Sequence, residues 1–229
     1  MEDSKLTRFK DASWLGKEEP CIIGGAGGIS SWLAFLLARA NFKPVVYDFD
    51  NLEPHNFGGQ LFPVSGVYRP KVVVLSEVIK QFSEVEIWAM NEKYTLESMT
   101  GDFVFSGFDN MEARANMFSL WSDYVLENTD RRSELIFIDG RLSAEQLQIF
   151  CVVGDRPDDI VNYATNYIFP DADVPDAPCT MKQTSHAAAM IASFMVGYFT
   201  NHVHNLRTNT KSRFVPFMKE YYIPLDLMS

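Results

Sequence analysis

The residues best placed to do chemistry begin at a glycine run. A short apolar stretch, residues 19–23, ends on Gly24-Gly25-Ala26-Gly27-Gly28, and a helical pattern follows at once. A glycine turn between strand and helix aims backbone N–H groups and the positive end of a helix dipole at one point, which suits a phosphate. Gly25, Gly27 and Gly28 make the turn; Ser30 stands where the last glycine of a dinucleotide fingerprint falls. Asp48 lies 20 residues beyond Gly28, at the end of the next strand, where a carboxylate can bind both ribose hydroxyls. Alone, this unit fits a nicotinamide-dependent oxidoreductase and an ATP-using enzyme equally. Lys71, after Pro70 at a predicted helix start, offers a point cation to phosphates. Asp109, just past the apolar residues 103–105, offers a hard oxygen ligand to Mg2+ or a helix cap. Cys179 precedes a long predicted helix, near Lys182 and His186, a setting that lowers a thiol pKa. Asp171, Asp173 and Asp176 push the other way. Cys21 and Cys151 read as small buried residues.

The elements that position these groups alternate. Helical periodicity over 29–40 is followed by a strand at 44–47, a helix opened by Pro70 over 70–82, strands at 85–89 and 103–105, a helix over 109–127 and a strand at 135–138. This order predicts an α/β, Rossmann-like, doubly wound and mostly parallel sheet with helices on both faces. A further strand is expected at 146–153 and a long Ala- and Met-rich helix at 181–201. The apolar runs 214–217 and 221–224 are expected to add C-terminal edge strands. Residues 155–178 hold many prolines and aspartates with little periodicity, which predicts a mobile crossover-type loop, 155–180, carrying Cys179. The chain is expected to form a single domain over 1–229, with an N-terminal helical segment over 1–19.

Four ordered blocks resemble the family of ThiF, MoeB and ubiquitin-activating enzymes. Asp48-Phe49-Asp50-Asn51-Leu52-Glu53-Pro54-His55-Asn56 is similar to that family's Asp-x-Asp segment. Gly59-Gln60 stands at its Arg-Gln pair, Arg69-Pro70-Lys71 at its helix-opening lysine, and Asp109-Asn110-Met111-Glu112-Ala113-Arg114 at its Asp-Asn-x-x-x-Arg. Asp176-Ala177-Pro178-Cys179-Thr180-Met181-Lys182 resembles the segment that carries the thioester cysteine in ubiquitin-activating enzymes. The resemblance implies ATP-dependent adenylation of the C-terminal carboxylate of a ubiquitin-like or sulfur-carrier-like protein, followed by thioester formation on Cys179. By position it assigns Gly25, Gly27, Gly28, Asp48, Asp50, Asn56, Gln60 and Lys71 to ATP, with Asp109 on Mg2+. It implies a homodimer, a conjugating enzyme downstream, and Arg8 as an arginine donated across the dimer. The departure is Gly59, which removes a phosphate-clamping arginine; Arg69 and Arg8 are the candidate replacements, and without one the chain reads as a non-catalytic partner subunit.

Bulk properties exclude other classes. The net charge is -10, so phosphate neutralisation along a nucleic acid is not expected. No apolar run is long enough to span a bilayer and the N-terminus lacks a secretory h-region, so a cytoplasmic protein with no membrane partner is expected. The three cysteines are widely spaced and no Cys-x-x-Cys pairs occur, so neither a disulfide framework nor a structural zinc is expected.

Overall fold

The structure is a computed structural model that describes residues 9–170 and 184–229. Among them, eight strands form one sheet in the order β3-β2-β1-β4-β5-β6-β7-β8. The first five neighbours are parallel: β1 (Pro20–Gly24), β2 (Lys43–Tyr47), β3 (Trp88–Met90), β4 (Phe103–Ser106) and β5 (Ile136–Ser143). The last three pairings are antiparallel, through β6 (Gln146–Val153), β7 (Met218–Tyr222) and β8 (Leu227–Met228). The chain winds outward from β1 to β3, then returns to place β4 on the other side of β1. The strand order therefore reverses between β1 and β4, the switch point at whose C-terminal ends such sheets bind ligands.

Strand alternation builds a core on each face. Cys21, Ile23, Val46, Phe105 and Ile138 point to one side, where α1 (Gly28–Arg39), α2 (Lys71–Phe82) and α5 (Ser185–Thr208) cover them. Ile22, Val45, Val104, Phe137 and Val152 point to the other, beneath α3 (Met111–Glu127) and α4 (Pro157–Asn166). The buried thiols of Cys21 and Cys151 fit this packing, and burial pushes both pKa values up, away from reactivity. Among the described residues, no helix is long and apolar enough to cross a membrane.

Several elements differ from the sequence expectation. Where a loop was expected over 155–180, Pro157–Asn166 forms α4, with Pro157 in the first turn and Asp158 and Asp159 beside the positive helix end. Ile160, Tyr163 and Tyr167 recur at helical spacing and face the core, a stripe that the surrounding prolines and aspartates obscure. Helix α5 is described from Ser185, where the Thr184 hydroxyl caps it by accepting from the Ala187 N–H at 3.4 Å; the expected start at Met181 lies outside the described residues. Asn110, not Asp109, caps α3, accepting from the Ala113 N–H at 2.9 Å. Residues 9–19 form turns rather than helix. The edge strands form at 218–222 and 227–228, and residues 214–217 contribute none.

Candidate active site

The glycine turn leaves β1 at Gly24, where an added Cβ would stand 2.2 Å from the Phe108 ring. Gly25 follows with φ +81°, a left-handed conformation that side chains resist. Gly27 caps α1 and faces open space, so its backbone can approach a ligand closely. Ser30 fits despite its side chain: it is fully buried, and its hydroxyl donates to the Gly24 carbonyl at 3.0 Å, tying the helix to the strand end.

Asp48 reaches this turn directly. One carboxylate oxygen accepts from the Ala26 N–H at 2.7 Å and the other from the Asp50 N–H at 2.8 Å. Burial pushes its pKa up from the ordinary value, while Lys71 and the two N–H donors pull it back. Lys71 opens α2 and is buried; its Nζ donates to Asp50 Oδ2 at 2.8 Å and its N–H to the Asp50 carbonyl at 2.9 Å. Gly25 to Gly28, Asp48, Asp50 and Lys71 thus form one bonded constellation.

Residues 54–61 are tied to the start of α1. Asn56 Oδ1 accepts from the Glu53 N–H at 2.8 Å, and its amide nitrogen makes no hydrogen bond among the described residues. The Trp32 indole N–H donates to the Gly59 carbonyl at 3.2 Å, and Ser31 Oγ accepts from the Leu61 N–H at 3.0 Å. The first turns of α1 therefore hold the segment by side chains, with no arginine at position 59. Gln60 Oε1 is buried and without a hydrogen-bond partner among the described residues, a polar atom left for a donor to meet.

Asp109 sits exposed on the loop after β4, next in sequence to Phe108, whose ring packs against the glycine turn, and its Oδ1 accepts from Asn110 Nδ2 at 3.4 Å. No three metal-binding side chains gather among the described residues. A single carboxylate at a phosphate site still fits Mg2+, which takes one or two carboxylates and completes its shell with water and phosphate oxygens. Arg69 is engaged elsewhere: both of its terminal nitrogens bond the Glu77 carboxylate on an exposed face of α2. Arg8 and Cys179 lie outside the described residues. With Thr184 as the cap of α5, Cys179 stands five residues before that cap.

A buried polar group in the middle of β5 escapes a reading by motif. Asp139 is fully buried between Arg114 and Arg141, with Tyr163 of α4 beside them. Its signal in the sequence is Asp139-Gly140-Arg141 interrupting an apolar strand, where charge is out of place unless paired.

Comparison with known proteins agrees with the fold. The ThiF family model matches residues 15–222. Among solved structures, PaaA superposes with a TM-score of 0.68 at 16% identity, over 94% of this chain and 64% of that one. MccB of E. coli, solved with ATP, gives 0.66 at 12% identity, over 95% and 64%. The E. coli tRNA N6-threonylcarbamoyladenosine dehydratase TcdA gives 0.65 at 14% identity, over 90% and 95%. These likenesses are of fold, and the chain spans 64% of the length of PaaA and MccB.

Proposed function

Because the chain belongs to the ThiF family, we propose that it activates a carboxylate with ATP: the C-terminal carboxylate of a ubiquitin-like protein. The observation that carries this reading is the bonded constellation of glycine turn, Asp48, Asp50 and Lys71. Asp48, fixed against the Ala26 N–H, takes the ribose hydroxyls, and the turn and α1 dipole take phosphate. Lys71 exchanges Asp50 for a phosphate oxygen, or is shared between them, and Asn56 offers its amide N–H groups. Gln60 Oε1 accepts from a donor on the bound nucleotide. A nicotinamide cofactor explains the turn and Asp48, but gives Lys71 and Asp109 nothing to do.

In the reaction the substrate carboxylate oxygen attacks the α-phosphorus, and the bond to the pyrophosphate oxygen breaks. The products are an acyl-adenylate and pyrophosphate. Mg2+ held by Asp109 would supply charge stabilisation on the phosphates. The Cys179 thiolate then attacks the acyl carbon and AMP leaves, giving a thioester. The net charge of -10 supports a protein or peptide substrate over a tRNA. A second reading, a partner subunit without chemistry, is favoured by Gly59 and by the engagement of Arg69 with Glu77.

ATP–pyrophosphate exchange in the presence of ubiquitin-like proteins ending in glycine separates the two. The proposal expects exchange in the parent and a loss of about 100- to 1000-fold in Asp109→Ala, the effect of removing one comparable electrostatic contact. Cys179→Ala retains exchange, since adenylation precedes use of the thiol. Nucleotide binding without exchange for any such protein supports the partner-subunit reading.

A further inference from the structure

The cluster around the middle of β5 takes no part in the roles above, yet it leads back to them. Both carboxylate oxygens of Asp139 are engaged: Arg114 Nη1 donates to Oδ1, while Arg141 Nε and the Tyr163 hydroxyl donate to Oδ2 at 2.7 and 2.9 Å. Each arginine also grips a main-chain carbonyl. Arg141 Nη2 donates to the Tyr167 carbonyl at 2.7 Å, at the C-cap of α4, and its guanidinium lies 4.8 Å from the Phe150 ring centre. Arg114 Nη2 donates to the Phe108 carbonyl.

Phe108 is where this chain of bonds meets the nucleotide site. Its ring covers the glycine turn so closely that a Cβ on Gly24 would overlap it, and one on Gly25 would touch it at 3.6 Å. The residue after it is Asp109. One carbonyl, held by Arg114, therefore fixes the main chain from which both the ring against the phosphate turn and the Asp109 side chain extend. Arg114 is aimed in turn by Asp139, and a buried carboxylate held at one oxygen alone can swing about its side-chain torsion. Arg141 and Tyr163 occupy the second oxygen and stop that swing.

We propose that Arg141 and Tyr163 are positioning residues for the nucleotide site, acting through Asp139 and Arg114 to fix the Phe108–Asp109 loop. This gives α4 a part in the chemistry although it carries no residue that touches ATP. The inference rests on the assignment of Asp109 to the metal-bound phosphates.

The test is the metal-linked gain in ATP affinity, the ratio of dissociation constants measured by calorimetry in EDTA and in Mg2+. Tyr163→Phe removes only the hydroxyl and keeps the ring against Phe118, Phe137 and Phe150. Phe118→Leu, whose ring centre lies 4.6 Å from that of Tyr163, loosens the same packing and leaves the polar chain intact. The expected result is a metal-linked gain about five- to tenfold smaller in Tyr163→Phe, a part of what one hydrogen bond to a charged group contributes, since the loss reaches the site through Asp139 and Arg114. Affinity in EDTA stays near that of the parent, and Phe118→Leu keeps the parent's gain. A full gain in Tyr163→Phe, or an equal loss in Phe118→Leu, overturns the proposal. A parent that binds ATP with no metal-linked gain overturns the Asp109 assignment and this inference with it. A parent that binds no ATP overturns the nucleotide reading as a whole.

Discussion

At the scale of single residues, Asp48 shows how one carboxylate can serve structure and binding together. Its two oxygens accept from Ala26 and Asp50, on the glycine turn and the loop that ends at Lys71, so the site is held in shape before any nucleotide arrives. Each oxygen has a second lone pair free for a ribose hydroxyl. The parent should therefore bind ATP about tenfold or more tightly than 2′,3′-dideoxy-ATP, since hydrogen bonds to charged groups contribute roughly 1.5–3 kcal/mol. Asp48→Asn should bind the two nucleotides alike, as read by calorimetry; a discrimination that survives the substitution would place the ribose elsewhere. Ser30 was legible as a departure from the fingerprint, but its hydroxyl bond to the Gly24 carbonyl was not. Local spacing shows that a glycine is missing; it does not show what a side chain finds to bond across a turn.

At the scale of elements, the parts that follow local rules were readable and those defined by tertiary contact were not. The βαβ unit around the glycine turn is apolar, periodic and bounded by glycine, and its strands and helix lie within a residue or two of expectation. Helix α4 escaped because its signal is three inward side chains, Ile160, Tyr163 and Tyr167, in a segment whose composition reads as loop. Asp139 and Arg141 escaped because a charge pair inside a strand declares itself only when its partner helices are in place. Helix α5 carries its own hidden group, His202, buried with its ring nitrogen Nε2 3.0 Å from the Glu134 carbonyl. Burial, and then the nearby Arg156 charge, lower its pKa below the ordinary 6.5, against the opposing pull of the Glu134 carbonyl and Asp155. The unfolded chain then binds more protons than the folded one below about pH 6.5, so stability should fall as pH drops through 6.5 toward the lowered folded value. The contribution reaches up to about 1.4 kcal/mol per pH unit. Urea unfolding of the parent and His202→Gln between pH 7.5 and 5 should show the steeper loss in the parent. Parallel curves would remove His202 as the cause.

At the scale of the whole molecule, the sheet has a parallel half and an antiparallel half. The parallel half holds β1, β2 and β4, whose C-terminal ends carry the proposed nucleotide site, while the antiparallel half runs out to a short edge. Along that edge and the loop before it, Phe214, Tyr222, Leu225, Leu227 and Met228 are exposed, whereas Phe217 and Tyr221 pack into the chain's own cores. If the homodimer implied by the family resemblance uses this edge, light scattering at micromolar concentration should give twice the 26.1 kDa chain mass, and Leu227→Lys with Met228→Lys should lower it toward one. A parent that scatters as a monomer would exclude the dimer. The central claim, that the switch point between β1 and β4 is built for a triphosphate, is tested most directly by calorimetric titration of the parent chain with Mg·ATP and with NAD. The account predicts saturable one-site binding of Mg·ATP, weakened at least tenfold in Lys71→Ala, and no saturable binding of NAD. Tight binding of NAD with none of Mg·ATP would contradict it.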